Sequence, residues 1–216
     1  MSSRPGAHII SEHEELNRVL PHVKNIVKQF PRAILSIDTI HATVADECLQ
    51  AGAHIINDIS AARFDARMLP AVAAHRAPFI AMHMQGLPAD MQQNPHYQNV
   101  TAELMDFFAE RIEACTQAGI TDVIIDPGFG FGKTLHHNYT LLRNLRYFTQ
   151  LGVPVLAGIS RKAMVYKTLG THAADALNGT TAANTIALIN GANLLRVHDV
   201  KQAREAVQIF AAYKGA

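Results

Sequence analysis

The sequence predicts an α/β protein with parallel strands, and specifically a TIM-type (β/α)8 barrel that is incomplete, with six of its eight strands. Six short apolar runs alternate with helix-like segments along the 216 residues, and each run ends in polar or charged residues. Parallel strands are buried on both faces, so polar residues recurring at their carboxyl ends indicate the edge where such folds bind ligands. No glycine fingerprint of a dinucleotide-binding turn follows any run, and the polar ends are spread over all six. Both observations favour a barrel over a doubly wound sheet.

Each predicted strand is short, apolar and followed by a helical pattern. The runs occupy residues 33–37, 54–56, 78–82, 122–125, 153–159 and 194–195, and they lead into Asp38, Asn57-Asp58, His83, Asp126, Ser160-Arg161-Lys162 and Arg196-Val197-His198-Asp199. Helices are predicted over residues 11–30, 43–50, 65–75, 101–118, 138–150, 173–190 and 200–214. The first helix opens with a capping-box pattern, Ser11 and Glu14, and has no strand before it. The sequence therefore predicts the last six of eight strands.

Composition and charge exclude several classes of partner. The net charge is +1 and 17% of the residues are charged, which gives no broad attraction to nucleic acid or to a membrane surface. No apolar stretch reaches the roughly 18 residues of a membrane span, and the first 30 residues lack a signal-peptide pattern. Cys48 and Cys115 are the only cysteines, so no disulfide framework is expected. We expect one cytoplasmic domain over residues 1–216.

The most specific local string is the glycine-rich segment at residues 126–133. Its three alternate glycines follow Asp126 and let the backbone approach a ligand, while Phe129 and Phe131 can cover it. The segment is one residue short of a P-loop. The alternative is a plain strand–helix turn with Lys133 in solvent, but an Asp at the end of a buried strand favours ligand binding.

Two carboxylates and an amide at strand ends match a flat heterocycle that carries an amide and an amine. Asp38 and Asp126 would accept its N–H groups, and Asn57 can both donate and accept. The alternative is that Asp38 and Asp58 cap the helices that follow. Capping is preferred for Asp58, and ligand binding is preferred for Asp38 and Asp126.

The last two strand ends carry cations and hydrogen-bond donors, where a barrel commonly holds a phosphate. Arg196 and His198 would point to the same face of a strand and could bind one anion, with Arg4 as a further candidate. Pairing of an arginine with Asp199 is the alternative, and it is plausible for Arg161. The other histidines have weaker prospects: His83 is expected to be a pocket wall or a packed ring, and His136-His137 to be solvated. No zinc-type spacing occurs.

Taken together, these strings resemble the dihydropteroate synthases, the folate-pathway transferases that sulfonamides inhibit. The matching segments are Ser3-Arg4-Pro5-Gly6, Ser36-Ile37-Asp38-Thr39, Ile55-Ile56-Asn57-Asp58, Met82-His83-Met84-Gln85-Gly86, residues 126–133, Ser160-Arg161-Lys162 and Arg196-Val197-His198-Asp199. The resemblance implies a pterin-binding barrel, usually a homodimer. It also implies an enzyme that joins 4-aminobenzoate to 6-hydroxymethyl-7,8-dihydropterin diphosphate and releases pyrophosphate.

The resemblance also implies roles for individual residues. The pterin would be held by Asp38, Asn57, Asp126 and Lys162, the diphosphate by Arg4, Arg196 and His198, and the aminobenzoate pocket would be bordered by Ser3, Pro5, Phe131, Ser160 and Lys162. Asp38, Asp126 and Lys162 would be the catalytic set. Loss of pyrophosphate leaves positive charge on the pterin methylene, which the two carboxylates can stabilise before the aromatic amine attacks. No protein nucleophile is required.

The family pattern contains a first strand and loop, followed by a helix and a second strand, and this sequence shows neither of these two strands. The family's Mg²⁺-binding Asn lies in that loop, so no metal ligand is assigned here although Mg²⁺ is the expected cofactor. We expect an N-terminally truncated domain that is poorly stable and nearly inactive as written, because an opened barrel exposes two parallel edges. The alternatives are a pterin-binding methyltransferase domain, or an inactive subunit that binds pterin or pairs with a complete copy.

Overall fold

The protein is an α/β fold with a parallel sheet of the TIM-barrel type. The computed structural model describes residues 10–86, 91 and 93–215. The strands are β1 (Ser36–Asp38), β2 (Ile55–Asp58), β3 (Phe79–Met82), β4 (Val123–Asp126), β5 (Leu156–Ala157) and β6 (Leu194–Leu195). The first four pair in parallel in the order β1-β2-β3-β4, and β5 pairs in parallel with β6. A parallel bridge between Ile125 and Val155 joins the two groups, so the six strands follow one another in chain order, as in a barrel.

Helices connect the strands and cover their outer face. They are α1 (Glu12–Gln29), α2 (Ala42–Gln50), α3 (Met68–Ala74), α4 (Val100–Gln117), α5 (Leu135–Arg143), α6 (Leu145–Phe148), α7 (Ala163–Thr168), α8 (Leu177–Ile189) and α9 (Val200–Gly215). Short 3-10 turns occupy Thr149–Leu151 and Ala173–Asp175. Within the described residues, none of these helices is long and apolar enough to cross a membrane.

Most predicted helices are found close to their expected positions. Ser11 accepts a hydrogen bond from the Glu14 amide at 3.2 Å, which is half of the predicted capping box, while the Glu14 carboxylate pairs with Arg18. Three expectations were wrong in detail. The helix expected over residues 65–75 begins at Met68. The helix expected to start at residue 138 begins at Leu135, and Thr134 caps its N-terminus. No helix was expected where α7 lies. A six-residue helix is too short to show a clear 3.6-residue period.

The apolar interior forms two large clusters, one on each half of the sheet. The first joins β1 to β3 with α1, α2 and α3, and the second joins β4 and β5 with α4 to α8. A smaller cluster lies near the carboxyl ends of the strands: Ile40, Ile59, Met82, Met84, Met91 and Phe131. Because the strands are parallel, their carboxyl ends share one edge, and the polar residues that follow them meet there.

Candidate active site

A chain of hydrogen bonds links the polar ends of four strands. Asn57, at the end of β2, donates to Asp38 at the end of β1 through Nδ2 and Oδ1, 2.6 Å apart. The side-chain oxygen Oδ1 of Asn57 accepts from Nη1 of Arg196 at 3.2 Å, and Arg196 Nη2 donates to Asp126 Oδ2 at 2.6 Å. Arg196 follows β6 and Asp126 ends β4. Residues as far apart in the sequence as Asp38 and Arg196 therefore form one connected site.

The four residues of this hydrogen-bond chain differ sharply in solvent exposure. Asp126 is fully buried and Asn57 is 1% exposed, whereas Asp38 is exposed and the Arg196 side chain is 38% exposed. The charge of Asp126 raises the pKa of Arg196, against the opposing effect of burial. Gly158 makes room for the guanidinium, since a Cβ there would lie 2.9 Å from Nη2. One edge of a flat ligand would thus meet buried acceptors while its other edge stays open to solvent.

Lys162 lies beside the same cluster. Its Nζ donates to the carbonyl oxygen of Phe129 at 2.5 Å and lies 4.7 Å from the centre of the Phe131 ring. Burial lowers the pKa of Lys162 to about 8, and the neighbouring carboxylate of Asp126 partly offsets that shift. An ammonium with a lowered pKa in a cleft is typical of a functional side chain.

The glycine-rich segment after β4 forms a tight turn against the end of β3. Gly128, Gly130 and Gly132 all have positive φ, at 67°, 84° and 62°. A Cβ at Gly128 would lie 2.0 Å from the carbonyl oxygen of His83, so only glycine fits. The Gly128 amide donates to Asp126 Oδ1 at 2.8 Å, which leaves the other carboxylate oxygen of Asp126 facing Arg196.

The residues expected to bind an anion fall into two groups. Arg196 contacts Asp126 and Asn57, whereas His198 donates its amide to Ser160 Oγ at 3.2 Å, with its Nδ1 3.0 Å from the same oxygen. β6 ends at Leu195, so the strand alternation that predicted a shared face does not continue through these residues. Arg196 and His198 therefore contact different residues in the structure.

Several of the alternatives weighed from the sequence are resolved by contacts. Arg161 pairs with Asp199 through Nε and Oδ2 at 2.9 Å, as proposed for that residue. Asp58 accepts hydrogen bonds from the amides of Ser60 and Ala62, so it caps a turn. The expectation that Asp58 caps a helix was wrong, because the next helix begins ten residues later.

The histidine assignments changed in one case. His83 is buried and packs edge-on against Phe107, with ring centres 4.8 Å apart. His136 is exposed, as expected. His137 completes a capping box with Thr134 at the start of α5, so the expectation that it is merely solvated was wrong.

Two parts of the expected site have no described counterpart. Ser3, Arg4 and Pro5 lie outside the described residues. Across residues 10–86, 91 and 93–215, no group of three His, Cys, Asp or Glu side chains lies close enough together to hold a metal ion.

Sequence reasoning missed two cations next to the site, the buried Lys133 and the exposed Arg63. Lys133 is 3% exposed and its Nζ donates to the carbonyl oxygens of Gly128 and Phe131, both at 3.0 Å. Arg63 donates to the Met84 carbonyl oxygen at 2.9 Å and stacks over Phe107. The glycines around Lys133 were the available signal, since a lysine among backbone-exposing residues can reach free carbonyl groups.

Comparison with known proteins agrees with this geometry. The family described as pterin binding enzyme matches residues 1–198. The dihydropteroate synthase of Escherichia coli strain K12 is 44% identical over 210 residues, which are 96% of this chain and 74% of that protein.

Two solved structures extend the likeness to the fold. The Yersinia pestis dihydropteroate synthase with a sulfonamide drug complex is 43% identical and superposes with a TM-score of 0.95. The match covers 100% of this chain and 78% of the Yersinia pestis chain. The Xanthomonas albilineans enzyme with 4-aminobenzoic acid is 42% identical and superposes with a TM-score of 0.92. That match covers 100% of this chain and 77% of the Xanthomonas albilineans chain. The chain therefore belongs to the pterin-binding enzymes and, among them, to the dihydropteroate synthases.

Proposed function

We propose that the strand-end site condenses 6-hydroxymethyl-7,8-dihydropterin diphosphate with 4-aminobenzoate to give 7,8-dihydropteroate and pyrophosphate. The observation that carries this proposal is the hydrogen-bond chain through Asp38, Asn57, Arg196 and Asp126. The relatives support it, because one is described with 4-aminobenzoic acid and another with a sulfonamide drug complex.

The pterin ring matches the acceptors that Arg196 occupies. Asp126 and Asn57 each present an oxygen to the guanidinium at 2.6 and 3.2 Å. The N–H groups of a pterin would replace those of Arg196, since both are planar donors of similar spacing. Release of Arg196 from this contact makes its charge available to the diphosphate, together with His198 and Arg4.

The 4-aminobenzoate would lie where the glycine-rich turn faces the end of β5. Phe131 offers a ring face, Ser160 a hydroxyl group, and Lys162 an ammonium within reach of a carboxylate. Ser3 and Pro5 would complete this pocket. Placing the amine near the pterin methylene contributes through proximity and orientation.

The chemistry needs charge stabilisation more than proton transfer. The bond between the methylene carbon and the diphosphate oxygen breaks, and its electron pair leaves with pyrophosphate. Asp126 and Asp38 stabilise the positive charge that develops on the pterin, and Arg196 stabilises the leaving anion. The amine nitrogen then forms the new bond to the methylene carbon and loses its proton to solvent.

Several further properties remain proposals. We propose one domain over residues 1–216: the family match ends at residue 198, and α9 packs against α8. A homodimer is proposed from the resemblance, and a cytoplasmic location is proposed from the composition of the sequence. Mg²⁺ remains a predicted cofactor, with no described cluster that would bind it.

The test is pyrophosphate release by the full chain with each substrate alone and with both. We expect release only when both substrates are present, at the low rate that the sequence predicts, with Arg196→Met lowering kcat/KM for the pterin diphosphate at least about tenfold. Arg204→Met, which changes an exposed arginine on α9, is the matched control and should leave the rate unchanged. A pterin-binding methyltransferase would instead bind the pterin without releasing pyrophosphate, and Arg196→Met would leave its pterin affinity unaltered.

A further inference from the structure

The glycine-rich turn at residues 127–132 is held from inside by Lys133. The lysine ammonium has three protons and faces four acceptors. These are the carbonyl oxygens of Gly128 and Phe131 at 3.0 Å, His83 Nδ1 at 3.1 Å and the His83 carbonyl oxygen at 3.4 Å. A buried cation whose donors are all used is costly to build and specific in its geometry.

The protonation of His83 suits this arrangement. Burial, with smaller contributions from Lys133 and Arg63, lowers the pKa of His83 to about 2, so the ring is neutral. A neutral ring that carries its proton on Nε2 offers Nδ1 as an acceptor. His83 follows β3, and its amide donates to the Asp126 carbonyl oxygen at 3.0 Å. Lys133 therefore fastens the turn to the neighbouring strand end.

The outer side of the same turn meets the proposed substrate site. The carbonyl oxygen of Phe129 accepts from Lys162 Nζ at 2.5 Å, and the Phe131 ring lies 4.7 Å from that nitrogen. The turn thus lies between two ammonium groups, Lys133 on its buried side and Lys162 on its ligand side. A shift of the turn would move Phe131 and disturb the hydrogen bond of Lys162 to the Phe129 carbonyl oxygen, while Asp38 and Asn57 stay on their own strands.

We propose that Lys133, seated on His83, is a positioning residue that sets the Phe131–Lys162 wall of the 4-aminobenzoate pocket. This inference rests on the proposed function, because the pocket is assigned there. It assigns Lys133 no contact with substrate. It predicts that loosening the turn weakens 4-aminobenzoate binding more than pterin diphosphate binding.

The experiment measures both KM values and kcat for two variants of His83 that differ in one acceptor. His83→Asn keeps an oxygen near the position of Nδ1, whereas His83→Leu removes the acceptor at similar volume. We expect His83→Leu to raise KM for 4-aminobenzoate roughly tenfold while the KM for the pterin diphosphate changes less than about twofold, and His83→Asn to stay near wild type. Lys133→Met should reproduce the His83→Leu pattern.

The outcomes separate this inference from the proposed function. If wild type releases no pyrophosphate from the two substrates, the proposed function fails and so does the assignment of the pocket. If wild type is active but both KM values move equally in His83→Leu, Lys133 and His83 have a general structural role and the positioning inference is wrong. Equal behaviour of the Asn and Leu variants would also overturn it. Thermal unfolding identifies any variant that fails to fold. If Lys133→Met fails, the comparison of His83→Asn with His83→Leu decides, and if His83→Leu fails, the comparison of His83→Asn with Lys133→Met decides.

Discussion

Replacing Arg196 by methionine should destabilise the fold measurably as well as impair function. The substitution removes the charge-assisted bond to Asp126, a carboxylate with no solvent exposure. Breaking a fully buried ion pair costs about 3–5 kcal/mol, because the remaining charge is left without a partner. Here the arginine side chain is 38% exposed, so water screens the pair, and Asp126 keeps its bond from the Gly128 amide. We therefore expect a loss of about 2–3 kcal/mol in the free energy of unfolding.

The assay is denaturant unfolding at pH 7, extended to a double-mutant cycle. For a chain of this size, that loss corresponds to a fall of about 4–12 °C in Tm. Asp126→Asn removes the charge that Arg196 compensates, so the double variant should be less destabilised than the sum of the two single changes, by about 1–2 kcal/mol. A loss below about 0.5 kcal/mol for Arg196→Met, together with strict additivity, would show that the pair contributes nothing to stability.

Three further predictions concern the turn and its lysines. Gly128→Ala places a Cβ 2.0 Å from the His83 carbonyl oxygen, whereas Gly152 has a similar φ but open space around it. Unfolding measurements should therefore show Gly128→Ala to be at least about 2 kcal/mol more destabilising than Gly152→Ala. Equal losses of stability would contradict the tight packing at Gly128. The pKa of Lys162 is lowered to about 8, so kcat/KM of wild type should fall as the pH rises above 8. In Lys162→Arg, kcat/KM should stay constant over the same pH range. An equal fall in both proteins would assign that titration to another group. Burial lowers the pKa of Lys133 to about 7, so between pH 7 and 10 the unfolded chain binds more protons than the folded chain. The free energy of unfolding of wild type should therefore rise over that range relative to that of Lys133→Met. A constant difference between the two unfolding free energies would refute the lowered pKa of Lys133.

The fold was predictable because its signal is repeated along the chain. Each strand is a short apolar run with a polar end, and parallel strands bring all such ends to one edge. That reasoning placed Asp38, Asn57, Asp126 and Arg196 at one site, and the structure brings all four into contact. Their individual roles in binding pterin and diphosphate stay predictions.

What the sequence could not supply depends on contacts between distant segments. The sequence offered Lys133 only as a solvated lysine in the disfavoured interpretation of the turn, because no neighbouring residue indicates His83, 50 positions away, as its partner. The pairing of Arg196 with Asp126 spans 70 positions and depends on Gly158 leaving space. Helix α7 was missed for a different reason, since six residues carry too little periodicity to identify a helix.

The central claim is that the buried acceptors at the strand ends bind the pterin diphosphate. Calorimetric titration of this substrate into the wild-type chain and into Asp126→Asn tests it most directly, with Asp106→Asn on the exposed side of α4 as the matched control. We expect saturable binding by wild type and the control, and an affinity at least about tenfold lower for Asp126→Asn, since one buried charged acceptor is worth more than 1.4 kcal/mol. Equal affinity of all three folded proteins, or no binding by folded wild type, would contradict the account.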